Sequence, residues 1–332
     1  MKKKKFFSGI SPTMIILCIL LFVYFASILV LFGWGLITSF KDYHSDFIVN
    51  VFGLPKKWQF ENYATVIKAF VYPTPNGSRV YIEGMLFNTV LYAVGCSFFS
   101  TLVTCVTAYA CGRFRYKFSG ILSSVVIITM VLPVVGSLPS EMALAKAIGF
   151  YDSILGMWAM KCNFLSLYFL VFFKVFRNMP NDVEEAAKLD GASNFTIMVR
   201  IMFPIVMNTF GTVMLIKFIA FWNEYEIPLI YLPNNPTLSM GIARLNTSTE
   251  NVNGVNLSSV PLKMAGCMIL FIPILILFLA CQKKLIGSIS MGGSKEYRRK
   301  LNEKKRINHS RIRLYIRGVL SGGRVLRRQR QS

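Results

Sequence analysis

The stretch Glu184-Glu185-Ala186-Ala187-Lys188-Leu189-Asp190-Gly191-Ala192-Ser193-Asn194-Phe195-Thr196-Ile197-Met198-Val199-Arg200-Ile201-Met202-Phe203-Pro204 decides how the rest of the chain is read. It is polar at its start and lies between two long apolar runs. Pro180 bars a helix from running straight into it, because proline lacks the backbone N–H and its ring clashes with the preceding turn. Asn181 and Asp182 are favoured N-cap residues, and Glu184 and Glu185 each follow at the capping-box offset. Asp182, Glu184 and Glu185 crowd the end of the helix where the dipole favours negative charge, and Asp190 lies near its close. Gly191 supplies the left-handed residue that ends a helix. Ser193 or Asn194 can cap a second helix running toward Pro204. The expectation is a helix, a sharp bend and a second helix, exposed at a membrane face. The bland alternative is an ordinary amphipathic loop.

The membrane setting follows from composition. Of 332 residues, 54% are hydrophobic and only 16% charged, whereas soluble domains carry about a quarter charged residues. Several apolar runs are long enough to cross a bilayer. The net charge of +22 then points to positively charged cytoplasmic loops and lipid headgroups rather than nucleic acid. Cys18, Cys96, Cys105, Cys111, Cys162, Cys267 and Cys281 fall in or beside apolar runs without CxxC spacing or His clusters. They read as buried free thiols, with neither disulfides nor a metal site.

Outward from the central stretch, six spans are expected, at 13–39, 85–111, 119–137, 153–176, 206–230 and 262–282. The first follows Lys2–Lys5 and is too long for a signal peptide, so it reads as an uncleaved span. Residues 40–83 read as an ordered outer loop with turns and one short helix. Pro133 should end span three, and 138–150 suits a short amphipathic helix on the outer surface. Residues 231–261, rich in Asn, Ser and Thr, read as an outer loop. Orientation comes from the basic residues. The short loop with Arg113, Arg115 and Lys117 has no acid, and it shares a side with Lys2–Lys5 and the 177–204 segment. Positive-inside places that side, and both termini, in the cytoplasm.

Intramembrane ionisable residues are functional candidates. Lys217 lies roughly 16 Å into span five and is a candidate for lining a pathway, with snorkelling as the alternative. Asn223, Glu224 and Glu226 sit near the outer end of that span, as candidate contacts to a hydroxyl-rich substrate or a docked protein, or as interfacial solvation. Glu224 is too far along the helix to pair directly with Lys217. Lys161, about 13 Å into span four, has no account from sequence alone.

The spacing Glu185-Ala186-Ala187, three residues, Gly191, nine residues, Ile201-x-x-Pro204 resembles the EAA loop of ABC importer permeases, with Phe203 where the family usually has Leu. The Phe221-Trp222-Asn223-Glu224-Tyr225-Glu226-Ile227-Pro228-Leu229 segment and the Gly292-Gly293 close resemble the carbohydrate branch, and the smaller permease of maltose-type systems most of all. The resemblance implies an all-α polytopic membrane protein, six transmembrane helices with a cytoplasmic EAA coupling helix. It divides the chain into a cytoplasmic N-terminus (1–12), a transmembrane domain (13–293) and a basic cytoplasmic tail (294–332). It implies that Glu184, Glu185, Ala186, Ala187, Asp190, Gly191, Ile201 and Pro204 couple to an ATPase. The implied partners are a second homologous permease, two ATPase subunits, a solute-binding protein, a sugar and membrane lipids. The chain itself carries no cofactor and no catalysis, ATP being bound by the partner subunits in a prokaryotic cytoplasmic membrane. Alternatives are a permease for peptide, amino acid or polyamine, or a self-sufficient secondary transporter, which usually shows internal repeats. Leu320-Ser321-Gly322-Gly323-Arg324 resembles an ABC ATPase signature, but without a GxxxxGK[ST] phosphate loop it is a coincidence.

Overall fold

The structure is a computed structural model that describes residues 12–114, 118–132, 136–247, 251–252, 255–256 and 259–280. The N-terminal lysines, Pro133, Gly292-Gly293 and the basic tail lie outside the described residues. Among the described residues, four helical stretches are long and apolar enough to cross a membrane. They are α1 (Pro12–Ser39), α3 (Ile82–Arg113), the continuous run Asn194–Asn223, and the last helix, α13 (Val260–Ala280). Along its most apolar window α1 buries nothing; only Gly35, Thr38 and Ser39 at its end are buried, Gly35 beside α13 and Ser39 against Tyr63 of the segment that follows.

Between α1 and α3 the expected loop is more structured than the sequence suggests. It holds a π-helical turn (Tyr43–Phe47), α2 (Glu61–Ala69) and an antiparallel hairpin, β1 (Val71–Pro73) with β2 (Arg79–Tyr81). The buried Lys41 explains part of this order. Its Nζ donates to the carbonyls of Asn50 at 2.7 Å and Val51 at 3.0 Å, closing the loop on itself.

Spans three and four differ from the sequence reading. Where span three is expected lies α4 (Phe118–Val131), 14 residues, or about 21 Å of helix. A short surface helix, α5 (Leu138–Ala147), follows. Where span four is expected there is not one helix but two, α6 (Ile154–Met160) and α7 (Leu167–Arg177), with irregular backbone between them. Asn163 breaks the run: its Oδ1 accepts from the Leu165 N–H at 2.8 Å, a local substitute for the helical bond. Such backbone is tolerated at membrane depth where it is buried in protein or lines a cavity. Trp158 of α6 lies flat over Gly95 of α3, donating Nε1 to the Leu91 carbonyl at 3.1 Å and stacking on Phe99.

After α8 (Asp182–Leu189) and the bend, α9 (Asn194–Ile197), a π-helical turn (Met198–Met202) and α10 (Phe203–Asn223) form one rod. The Phe203 N–H reaches back five residues to Met198, and this wider turn accommodates Pro204, whose ring would crowd the carbonyl four residues before it. Span five therefore begins twelve residues earlier than expected. It also ends earlier, at Asn223, with a break before α11 (Glu226–Tyr231).

The expected outer loop 231–261 is also corrected. It contains α12 (Leu238–Thr247), whose Leu238, Met240, Ile242 and Leu245 are buried against α2, α3 and α13. The Leu238 N–H is taken up by the Thr89 hydroxyl at 2.7 Å, so apolar spacing wins over the polar residues flanking it. A small strand pair, β3 (Asn251–Val252) with β4 (Val255–Asn256), follows. The largest core cluster joins α3, α7, the bend helices and α10 around Phe169, Phe172, Phe176, Ile197 and Met202. Cys96, Cys105 and Cys111 are buried thiols as expected, whereas Cys18 is exposed on α1.

Candidate functional site: a bent helix pair and a membrane cavity joined by α3

The α8 bend is built as its sequence requires, with one change. Asn181 does not cap through its side chain; its carbonyl accepts from the N–H groups of Glu184 and Glu185, each at 2.9 Å. At the other end Gly191 has φ +78°, its N–H bonds the Lys188 carbonyl, and the Ala192 N–H bonds the Ala187 carbonyl. That pair of bonds is the Schellman closure, which needs a left-handed residue at this position. Ser193, not Asn194, caps the next helix, accepting from the Thr196 N–H at 3.2 Å.

The predicted residues of this region separate into two faces. Glu185, Ala186, Asp190 and Gly191 are exposed, beside Leu189 at 90% and Phe195 at 70% exposure. Ala187 is buried in the large core cluster, Ile201 is half-buried and Pro204 exposed. Glu184 is turned inward. Its Oε2 is bound by Arg113 Nη2 at 2.7 Å and Nε at 2.8 Å, and its Oε1 by Lys188 Nζ at 3.0 Å. Burial pushes the Glu184 carboxyl up, but the Lys188 hydrogen bond and the Arg113 charge outweigh it and hold the group below its ordinary value. Of the residues the sequence reading assigns to coupling, Glu184 is thus turned toward α3 while Glu185, Ala186, Asp190 and Gly191 stay exposed. Arg113 counted there only toward topology, as the first of three basic residues that follow a long apolar run.

The second region lies between α3, the break that joins α6 to α7, and α10. A cavity of about 340 Å³ is lined by Ser100 of α3, Lys161, Asn163, Tyr168, Lys217 and Phe221, among others. Lys217 is 7% exposed. Its Nζ donates to Ser100 Oγ at 2.7 Å and Thr104 Oγ1 at 3.3 Å and lies 5.4 Å from the Tyr168 ring. It is held by hydroxyls of α3 rather than snorkelling. Glu224 does not pair with Lys217. It accepts from Tyr92 Oη at 2.5 Å and binds Lys161 Nζ at 3.0 Å. The helix breaks at 161–166 and at 224–225 thus meet across one ion pair, and Lys161 gains the account it lacked. Asn223, Glu224 and Glu226 line a shallower pocket that shares Phe221 with the cavity. The Asn223 side chain donates to the Ile219 carbonyl at 2.9 Å, and Glu226 is exposed at the start of α11. Hydroxyl, amide, ammonium and aromatic groups around one cavity suit hydrogen bonding to and stacking on a polar solute. Among the described residues no cluster of His, Cys, Asp or Glu is placed to hold a metal ion.

Comparison with known proteins accords with this architecture. The chain is 24% identical over 263 residues to the diacetylchitobiose uptake system permease protein NgcG of Streptomyces coelicolor, covering 78% of this chain and 82% of that one. It is 25% identical over 244 residues to the arabinooligosaccharides transport system permease protein AraQ of Bacillus subtilis, covering 73% and 80%. Among solved structures, a chain in the crystal structure of a bacterial ABC transporter involved in the import of the acidic polysaccharide alginate shares its fold. The TM-score is 0.65 at 20% identity, over 81% of this chain and 95% of that one. Residues 100–289 match the family described as binding-protein-dependent transport system inner membrane component. That segment takes in α3 from Ser100 onward, the α8 bend and the cavity-lining helices. The chain belongs to this family of binding-protein-dependent transport permeases: it is a multi-pass membrane component of a transport system and not an enzyme.

Proposed function

We propose that the chain is the smaller permease subunit of an ATP-driven carbohydrate importer in a prokaryotic cytoplasmic membrane, with both termini in the cytoplasm. Its spans are α1, α3, α4, the broken pair α6–α7, the rod α9–α10, and α13, all within a membrane domain of residues 13–293, with the basic 294–332 tail on the cytoplasmic face. The observation that carries the reading is the α8 bend. An exposed acidic and small-residue face, with Glu185 and Ala186 beside a nearly naked Leu189, is set by a glycine-closed turn onto a rod that runs directly to Lys217 at the cavity. Glu185, Ala186, Asp190 and Gly191 form the docking face for an ATPase subunit, Ala187, Ile201 and Pro204 hold it to the core and the rod, and Glu184 sets its pose.

In this mechanism a solute-binding protein delivers sugar to the outer face, and a second permease completes the pathway. Two ATPase subunits bind the nucleotide, so this chain needs no cofactor. ATP and substrate both bias one two-state element. The sugar assignment draws support from the names of the relatives and from the polar and aromatic lining of the cavity.

The test is co-purification of the chain, expressed with its neighbouring genes, as wild type and as Glu185→Lys with Gly191→Pro. Capture of an ATPase and a second permease by the wild type, and loss of the ATPase alone by the variant, is the expected result. A wild-type chain that purifies alone and moves solute in vesicles without ATP would sink the proposal in favour of a self-sufficient carrier.

A further inference from the structure

Arg113 ends α3, the helix that also carries every α3 partner of the cavity residues. Its side chain is 3% exposed. The guanidinium binds Glu184 of α8 through Nη2 and Nε. It also donates to three carbonyls around the end of α7, those of Met179 at 3.0 Å and of Phe176 and Pro180 at 3.4 Å. Carbonyls in the last turn of a helix lack intrahelical donors, and a cation there also suits the dipole. One side chain of α3 therefore grips both sides of the short 178–181 connection that joins α7 to α8. The backbones are close at the same point. A Cβ on Gly112 would lie 3.3 Å from the Phe176 Cβ and 3.5 Å from the Phe173 carbonyl oxygen, and Tyr109 packs edge-on against Phe176.

Upward along α3, Thr104 and Ser100 lie roughly 14 Å and 20 Å from Arg113, and Tyr92 roughly 32 Å. These hold Lys217 and Glu224. A stiff helix with one end fixed to α8 and its middle fixed to Lys217 and Glu224 is a continuous physical link, and such links carry coupling between distant sites.

We propose that Arg113 is a positioning residue that ties the α8 bend to α3, so that displacement of α8 is delivered along α3 to the Lys217 and Glu224 clusters. This rests on the reading of α8 as the ATPase-coupling helix. Glu184 takes no direct part in docking; it is the α8 end of the tie.

The experiment uses the complete transporter in nanodiscs, with native cysteines replaced and a reporter cysteine at the exposed Tyr225. The rate of labelling by a biotin maleimide is compared without nucleotide and after trapping with ATP and vanadate. The wild type is expected to change its rate by about tenfold, a typical coupling between sites. Arg113→Ala and Glu184→Gln should each retain the ATPase yet reduce that change to less than about twofold. Exchange of the two charges, Arg113→Glu with Glu184→Arg, should restore part of it. Normalising to assembled complex removes any effect on yield. A full nucleotide response per complex in both single variants overturns the proposal. So does loss of the ATPase from Glu184→Gln, because that makes the pair part of docking, and this variant decides if Arg113→Ala does not assemble. A wild-type chain that holds no ATPase instead removes the coupling-helix reading itself, and the proposal with it.

Discussion

Gly95→Ala is the substitution whose outcome the packing of α3 against α6 fixes most tightly. A Cβ at this position would lie 2.0 Å from Trp158 Cε2 and 2.1 Å from its Nε1. The obstacle is a rigid indole ring rather than the end of a flexible side chain. The ring also cannot withdraw freely, since it donates to Leu91 at 3.1 Å and stacks on Phe99 with centroids 5.4 Å apart. Overpacking of this kind costs about 1–3 kcal/mol. Displacing the indole further forfeits about 1 kcal/mol for the hydrogen bond and about 0.5–1.5 kcal/mol for the ring pair. The better helix propensity of alanine returns about 1 kcal/mol. The net expectation is a destabilisation of roughly 2–4 kcal/mol, or a fall of roughly 4–8 °C in apparent unfolding midpoint. The same replacement at Gly211 of α10, where a Cβ meets nothing within 4 Å, should leave the midpoint unchanged or raise it slightly. The assay is thermal unfolding of the isolated chain in detergent, followed by tryptophan fluorescence. If Gly95→Ala unfolds with Gly211→Ala at the wild-type temperature, the α3–α6 packing argued above is wrong.

Other perturbations probe the bend and the cavity. Gly191→Ala forces a side chain into the left-handed region at φ +78°, a strain of about 1–2 kcal/mol. It should speed tryptic cleavage at the neighbouring Lys188 several-fold, and an unchanged digestion rate would contradict the strain argument. Because the Glu184 carboxyl is depressed in the fold, its ion pairs contribute fully above its ordinary value of 4.5 and are lost as pH falls through the depressed value. Cleavage of the bend by an acid-active protease should therefore rise in the wild type below about pH 4.5, whereas Glu184→Gln is open throughout; identical profiles would refute the assignment. Lys217→Met removes the charge that Ser100 and Thr104 hold. Solute uptake should fall at least about tenfold, the worth of one charged hydrogen bond, without a lower unfolding midpoint. Unaltered uptake would remove Lys217 from the pathway.

How much of this was legible in the chain depended on distance along it. Apolar length and composition alone established a polytopic helical membrane protein, because a bilayer demands long runs whose backbone bonds close locally. The α8 bend was equally readable. Its stop at Pro180, its Gly191 closure and its Ser193 cap are set by bonds spanning no more than five residues. The EAA-like spacing, read in the same window, led to the transport family that the comparisons then showed.

What only the tertiary structure decided involves partners far apart in sequence. Lys161 meets Glu224 across 63 positions, Tyr92 meets Glu224 across 132, and Arg113 meets Glu184 across 71. Glu184 differs locally from Glu185 in having Lys188 four residues on, yet that half-exposed lysine does not turn it inward; Glu184 is buried against an arginine 71 positions away and Glu185 faces out. The burial of α12 shares that origin, whereas the break in span four turns on Asn163 bonding a backbone group two residues on. An apolar run reads the same whether its helix is whole or interrupted, and an Asn- and Ser-flanked segment reads as a loop until a neighbouring helix supplies the hydroxyl that takes up its first N–H. Period and caps fix where a helix can begin and end; which of its charges turns inward is fixed by the partner waiting on another helix.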